Sequence, residues 1–182
     1  MPEVILSHAG KQHSYHVARA MQDLGYLHSF HTSAYIRQQW LQDWITRSGN
    51  TFWSRRFLSG LSGAKVHANW RFEIRELMYA RLYGRSGKVN QAVMERDRNL
   101  DRYMAGKLKN RQADIFWGFQ GSCFESLQSG KRSGMKTVVE LAIAHYPSAK
   151  EILLEEKRLH PEWADSIVYA NFPEWYMDRL IG

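Results

Sequence analysis

The sequence predicts an α/β protein built on an open parallel sheet, with helices on both faces and a helical insertion in the middle. Short apolar segments, typical of buried parallel strands, occur near both ends of the 182-residue chain. Each is followed by apolar residues at helical spacing. Between them, at about residues 36–110, the apolar pattern is helical. Strands and helices that alternate in this way are typical of a parallel sheet covered by helices.

The N-terminal segment is predicted to form a βαβ unit. Residues 4–6 are apolar, and Val17 and Met21 then begin a stripe at helical spacing. Gly25 follows the stripe, which suits the left-handed residue that ends many helices. Residues 26–32 are predicted as the second strand, and a crossover of this kind is right-handed in nearly all proteins.

The middle of the chain is predicted to be helical. Apolar stripes occupy residues 36–45, 70–82 and 89–108, whereas residues 50–68 show no regular pattern. Several of the seven tryptophans stand beside arginines, as in "FWSRRF" and "NWRFEIRE". Amphipathic helices routinely bury such aromatic residues, so we expect a tryptophan core with a solvated basic rim.

The α/β pattern returns in the last third. Residues 113–117 and 137–141 are predicted as strands. Ser122 and Glu125 have the S-x-x-E spacing of a capping box, so a helix is expected to begin at Ser122.

A second capping box is predicted in "SAKE", where Ser148 would begin the next helix. Pro161 is expected to end that helix, and "FPEWYMDRLIG" is typical of a further helix start. A single domain over residues 1–182 with a Rossmann-like winding is the simplest assembly of these elements.

Composition restricts the functional class. Cys123 is the only cysteine, which excludes an internal disulfide and fits a reducing, cytoplasmic setting. No apolar run approaches the ~20 residues needed to span a bilayer, and the N-terminus lacks the pattern of a secretory signal. The net charge of +7 favours anionic partners: phosphate-bearing ligands, nucleic acid or an acidic membrane surface. The lack of a recognisable RNA-binding signature disfavours nucleic acid.

Ligands bind beyond the carboxyl ends of the strands in an open parallel sheet, and three predicted loops leave such ends. The first, residues 7–13, carries His8, Gly10 and Lys11. Backbone N–H groups and Lys11 could hold an anion there, because a helix start follows. The alternative is an ordinary strand-to-helix turn.

The second loop, residues 118–122, carries Gly118, Gln120, Gly121 and Ser122. Glycine lets the backbone approach a ligand closely, and the free N–H groups of the following helix favour a hydroxyl or an anion. The alternative is a turn that requires a positive φ at one glycine.

The third loop, residues 142–148, follows a strand that Glu140 interrupts with a charge. A carboxylate there is costly unless it is paired or exposed. Together with His145 it could position sugar hydroxyls or move a proton. The alternative is that Glu140 pairs with an arginine and His145 lies on the surface. No group of histidine, cysteine and acidic residues has the spacing of metal ligands, so no metal site is predicted.

The chain resembles the N-terminal domain of family 4 glycosyltransferases, the retaining GT-B enzymes of bacterial surface-polysaccharide synthesis. The matching segments are the strand "ADIFWGF", the turn "KRSGMKTVVEL", the loop and helix "AIAHYPSAKEILLEE" and the stop "HPEWADSI". The opening "VILSHAGKQHSYHVARAMQDLGY" resembles the family's first strand and helix. The resemblance covers nearly the whole chain, although the helical middle matches only in general character.

The resemblance implies one half of a GT-B fold: an acceptor-binding domain that faces a donor domain across a cleft. The loops at Gly10, at residues 118–122 and at Glu140 to His145 would line the cleft, and His145 matches the histidine that the family places near the reacting sugar. The family's donor domain carries two glutamates with seven residues between them, and no pair here has that spacing. The C-terminal donor domain is therefore expected to be absent.

These implications give the functional expectation. The domain alone binds no cofactor, a nucleotide-sugar serves the full enzyme, and the partner is a sugar or lipid-linked sugar acceptor. This chain alone is expected to be inactive, and its expected location is the cytoplasm, peripheral at the inner membrane face. The alternative is a non-enzymatic basic module that binds nucleic acid or an anionic membrane surface.

Overall fold

The protein is described here by a computed structural model, which covers residues 1–11, 13–84, 87–110, 112–141, 146–164, 166–167 and 173–181. Five parallel strands form one sheet in the order β3-β2-β1-β4-β5. The strands are β1 Val4–Ser7, β2 Leu27–Thr32, β3 Val66–Ala68, β4 Ile115–Phe119 and β5 Lys136–Glu140.

Helices flank this sheet, so the predicted α/β class with a Rossmann-like open parallel sheet is confirmed. They are α1 Ser14–Asp23, α2 Gln39–Ser48, α3 Thr51–Ser54, α4 Arg71–Tyr83, α5 Gly87–Lys107, α6 Phe124–Arg132, α7 Tyr146–Leu159 and α8 Glu174–Ile181. None of the helices in the described residues combines the length and apolar character needed to cross a membrane.

The core has two parts, one on each face of the sheet. Side chains of a strand alternate between faces, so Leu6 and Ile5 enter different clusters. Leu6 packs in the cluster that contains Tyr15 of α1. Ile5 packs in the cluster that contains Leu100 and Met104 of α5. The first cluster covers one face with α1, and the second covers the other with α5 and α6.

Several predicted boundaries are confirmed. Gly25 follows α1 with a φ of 78°, in the left-handed region as predicted. Helix α7 ends before Pro161, also as predicted. Residues 50–68 contain short elements that the sequence pattern missed, among them the helix α3 and the strand β3. Strand β3 lies within residues 50–68, and its three residues are too few to show an alternation.

The two predicted capping boxes are wrong. Helix α6 begins at Phe124, its cap position Cys123 makes no side-chain cap bond, and Ser122 lies before it. The carboxylate of Asp101 on α5 instead accepts the N–H groups of Glu125 and Ser126, at 2.9 and 2.8 Å. A cap supplied from another helix leaves no local spacing to recognise. In α7, Ser148 lies inside the helix rather than at its start.

The expected tryptophan core is also wrong in part. Trp40 and Trp44 on α2 are 69% and 60% exposed. On α4, Ile74, Met78 and Leu82 are likewise exposed rather than packed against the sheet. Helical spacing shows that apolar residues share a face, but it does not show that another element covers the face.

Candidate functional site

The strand order reverses between β1 and β4, which is the position of the ligand crevice in open α/β sheets. The chain passes from β1 to its neighbour on one side and from β4 to its neighbour on the other. The loops after these two strands therefore diverge, and this is where open α/β sheets bind ligands. The predicted loops 7–13 and 118–122 both lie at this edge, next to the end of β5.

The two loops are joined by His8 and Ser122. The Nδ1 atom of His8 lies 3.1 Å from the hydroxyl oxygen of Ser122, and the imidazole packs against the ring of Phe119 with centroids 4.7 Å apart. Both residues are buried, with Ser122 at 0% exposure. The Ser122 hydroxyl also donates to the carbonyl of Phe119 at 3.3 Å. The pair thus ties the crevice together and does not present an accessible serine hydroxyl.

A second cluster forms around Glu140 at the end of β5. One carboxylate oxygen, Oε1, lies 2.5 Å from Nε2 of His13. The other, Oε2, accepts the indole N–H of Trp117 at 2.9 Å. The side chains of His13 and Glu140 are 39% and 24% exposed, so solvent reaches both, although the Nε2 atom of His13 that faces Glu140 is itself buried. Glu140 is therefore paired, as its position in a strand requires, but with a histidine rather than an arginine.

The sequence pattern did not identify His13 and Trp117 as site residues. His13 belongs to the same loop as His8 and Gly10, and Trp117 lies on the strand that neighbours Glu140. In the register of β4 and β5, Phe119 pairs with Glu140. Trp117 is two residues earlier, so its side chain points to the same face as Phe119. A register for the two strands would have been needed to find this contact.

Gly10 and Lys11 have different surroundings. A Cβ on Gly10 would stand 3.5 Å from Nε2 of His8 and 3.6 Å from a guanidinium nitrogen of Arg96, so Gly10 borders the crevice. The ammonium of Lys11 lies 3.5 Å from the carbonyl of Phe57 and close to the ring of Tyr15. Burial, with the nearby arginines of the insertion, lowers the pKa of Lys11. Lys11 therefore contacts the insertion rather than the His8–Ser122 pair.

The loop after β4 packs against the last helix. The side-chain amide of Gln120 donates to the carbonyl of Leu180 at 3.0 Å. Gly121 has a φ of 85°, and a Cβ there would approach Tyr176 Oη to 2.7 Å. A Cβ on Gly118 would come within 2.3 Å of Cys123 Cβ. These glycines serve close packing of protein on protein, so the accessible part of the site is the Glu140 cluster.

Buried ion pairs lie next to this edge of the sheet. Arg96 binds Asp97 at 2.8 Å and Glu76 at 2.5 Å, and Gly10 lies beside it. Burial raises the pKa of Asp97, while the Arg96 guanidinium opposes that rise. Separately, the fully buried Glu73 pairs with Arg56 and accepts a hydrogen bond from Ser33. Sequence reasoning missed both groups because Glu76 and Glu73 on α4 meet arginines from other parts of the chain.

One predicted site residue falls outside the part of the chain that the structure describes. His145 and the rest of residues 142–145 lie outside them. Within the described part of the chain, no three histidine, cysteine or acidic residues are grouped so that they could hold a metal ion. Cys123 is buried as a free thiol, and burial raises its pKa, so it is held as the neutral thiol.

No protein-family model matches this chain, and no curated protein and no solved structure matches it either. The geometry of the site is therefore the basis on which a function is assigned. The partly exposed carboxylate of Glu140 can accept hydrogen bonds from hydroxyl groups, and the imidazole beside it can donate or accept them. Neighbouring polar groups of this kind suit a ligand rich in hydroxyls.

Proposed function

We propose that this chain is the acceptor-binding N-terminal domain of a nucleotide-sugar-dependent retaining glycosyltransferase of the GT-B type. The observation that carries the proposal is the Glu140 cluster, in which His13 and Trp117 hold a partly exposed carboxylate at the carboxyl edge of a Rossmann-like sheet. The sequence resemblance to family 4 enzymes supports the same function, in bacterial surface-polysaccharide or glycolipid synthesis.

In the proposed reaction, a hydroxyl of the acceptor binds at Glu140 and His13. Its oxygen forms the new bond to the anomeric carbon of the donor sugar, on the face that the leaving group occupies because the configuration is retained, and its proton passes to a phosphate oxygen of that leaving group. The nucleoside diphosphate leaves with the electron pair of the broken carbon–oxygen bond. Glu140 orients the acceptor through its carboxylate, and positioning of this kind supplies a large part of the rate enhancement in two-substrate reactions. His145 remains the predicted catalytic histidine.

The donor belongs, under this proposal, to a second Rossmann-like unit that faces the crevice. The isolated 182-residue protein is then expected to bind acceptor but to show no sugar transfer. The enzyme would act in the cytoplasm, at the inner face of the membrane where lipid-linked acceptors are found. Transfer by the purified chain alone, from a nucleotide-sugar to any acceptor, would contradict this division of roles.

The test is acceptor binding by the isolated chain. An array of oligosaccharides and lipid-linked sugars identifies a ligand, and calorimetry then measures its Kd for the wild type, Glu140→Gln and His13→Asn. We expect each substitution to weaken binding by about tenfold. Glu140→Gln removes the charge of a group that would accept a hydrogen bond from the acceptor, and His13→Asn removes the imidazole beside it. Glu151→Gln on the exposed face of α7 is the matched control and should leave Kd unchanged. Equal Kd values for Glu140→Gln and the control would exclude the Glu140 cluster as the acceptor site.

A non-enzymatic binding module is the second candidate function. It is favoured by a separate observation, the exposed tryptophans and arginines of the helical insertion. Salt-sensitive binding to generic RNA would support its nucleic-acid form. The membrane form is compatible with the transferase and is developed below.

A further inference from the structure

The helical insertion carries an exposed aromatic surface, which we call the tryptophan surface: Trp40, Trp44, Phe52, Trp53 and Trp70. The first four are exposed on α2 and α3, and Trp70, which is half-buried, precedes α4. The rings of Trp53 and Trp70 approach each other with centroids 6.2 Å apart, which joins the two parts. Contiguous patches of exposed large apolar side chains mark sites where a protein binds another surface.

A groove of about 440 Å³ lies within this surface. Its walls are almost wholly hydrocarbon, formed chiefly by Ile36, Leu41, Trp44, Ile45, Trp53 and Trp70. Ligand pockets that bind polar molecules place several convergent donors and acceptors in such walls. This groove places few, so it is suited to hydrocarbon and offers little to a nucleobase or a peptide backbone.

The apolar surface continues along α4. Ile74, Met78 and Leu82 follow Trp70 at intervals of four residues, which places them on one side of the helix, and all three are exposed. These three side chains extend the tryptophan surface along α4.

Positive charge surrounds the aromatic residues. Residues 33–72 contain six cationic residues but only one acidic residue, Asp43. Arg37, Arg47, Arg55 and Arg71 are exposed among them. On α2, Arg47 follows Trp44 by three residues, so it lies on the same side of the helix as Trp40 and Trp44. Arg55 follows α3 directly.

We propose that the tryptophan surface docks onto the interface of a lipid bilayer that contains anionic lipid. Tryptophan is enriched where a membrane meets water, because its ring is apolar and its N–H is polar. The bordering arginines would contact the anionic head groups, and each basic residue near such a surface contributes about 1 kcal/mol. Charge complementarity therefore selects this occupant, whereas a second copy of the chain would bring two positive surfaces together.

This inference does not depend on the sugar-transfer proposal. The Glu140 cluster and the tryptophan surface share no residue, so either can fail while the other holds. If both hold, the carboxyl ends of β2 and β3, which lead to Tyr35 and Trp70, bring the membrane close to the edge of the sheet that binds acceptor.

The test is sedimentation of the purified chain with vesicles. Vesicles of mixed phosphatidylglycerol and phosphatidylcholine are compared with vesicles of phosphatidylcholine alone. We expect the anionic vesicles to bind at least about tenfold more tightly, and this preference to shrink at high salt. A blue shift of tryptophan fluorescence should accompany binding, since the indoles leave water.

Two pairs of variants separate the apolar and charged contributions. Trp40→Ala with Trp44→Ala should weaken vesicle binding about tenfold, and Trp163→Ala, an exposed tryptophan elsewhere, should not. Arg47→Glu with Arg55→Glu should weaken it at least about tenfold. Lys131→Glu with Arg132→Glu on α6 makes the same change in net charge and is expected to have a smaller effect. Circular dichroism confirms that each variant folds.

Three results would overturn the proposal. The first is vesicle binding that all four variants leave equal. The second is binding of single-stranded RNA, but not of vesicles, that the Trp40→Ala and Trp44→Ala pair abolishes. The third is a dimer in analytical ultracentrifugation that the same pair dissociates and that does not bind vesicles.

Discussion

The carboxylate of Glu140 and the imidazole of His13 lie 2.5 Å apart, although one residue ends the last strand of the sheet and the other precedes the first helix. The parallel topology causes this meeting, because every strand ends at the same edge. Trp117 completes the cluster by donating its indole N–H to the second oxygen of Glu140. The proposed acceptor site depends on this relationship.

The first prediction concerns Asp101, which is fully buried and accepts the N–H groups that begin α6. It also pairs with Arg179 of α8. Asp101→Ala should lower the free energy of unfolding by about 3 kcal/mol, because the buried Arg179 keeps Glu125 as a partner but loses Asp101, and α6 loses its cap. Urea denaturation measures the change.

The matched control for Asp101 is Asp23, which pairs with Arg19 on the exposed face of α1. Asp23→Ala should cost at most about 1 kcal/mol. If the two variants lose equal free energy of unfolding, the Asp101 carboxylate does not stabilise the packing of α5 with α6 and α8.

The second prediction concerns Gly118 in β4. An added methyl group would stand 2.3 Å from Cys123 Cβ, so Gly118→Ala should destabilise the fold by about 1–3 kcal/mol or more. Gly106 near the end of α5 has open space and is the control. Gly106→Ala should raise stability by about 0.5–1 kcal/mol, because alanine favours the helix. Thermal unfolding of both variants gives the comparison, and a neutral Gly118→Ala would contradict the packing.

The third prediction concerns pH and His31 in β2. Burial, and next the charge of His67 stacked 4.7 Å away, lower the pKa of His31 to about 3. Between about pH 6.5 and 3 the unfolded chain binds a proton at this residue and the folded chain does not. Stability should therefore fall as the pH is lowered through this window, by up to about 1.4 kcal/mol per pH unit from this residue.

Urea titrations at a series of pH values test this dependence on the wild type, His31→Gln and His28→Gln. His31→Gln should reduce the slope of stability against pH in the window. The exposed His28 serves as the control and should change the slope less. An unchanged slope in His31→Gln would assign the acid sensitivity to other groups.

Much of the fold could be predicted from sequence because periodicity and glycine positions are local properties. The α/β order, the helix of α1 and the glycine that follows it needed only neighbouring residues. The start of α6 could not be predicted, since its cap is the carboxylate of Asp101, which is remote in sequence. The exposure of Trp40 and Trp44 could not be predicted either, because periodicity does not reveal whether a partner element covers a face.

The sequence indicated the loops in which the proposed site lies, but not the contacts within it. The loops after β1 and β4 and the charge of Glu140 pointed to the edge of the sheet where the Glu140 cluster is found. The partners of Glu140 depend on the order and register of strands, which a single sequence does not contain. Gly118 and Gly121 were predicted to let the backbone approach a ligand, whereas Gly118 in β4 packs against Cys123 and Gly121 after β4 packs against Tyr176.

The most direct test of the proposed acceptor site is nuclear magnetic resonance of the isolated chain during titration with the tightest acceptor from the array. The indole N–H of Trp117 gives a resolved reporter, since it donates to Glu140. The account predicts that its resonance shifts together with the backbone amides of His13 and Glu140, and that Glu140→Gln removes these shifts. Shifts confined to residues outside this cluster, with the Trp117 indole resonance unmoved, would contradict the assignment of the acceptor site.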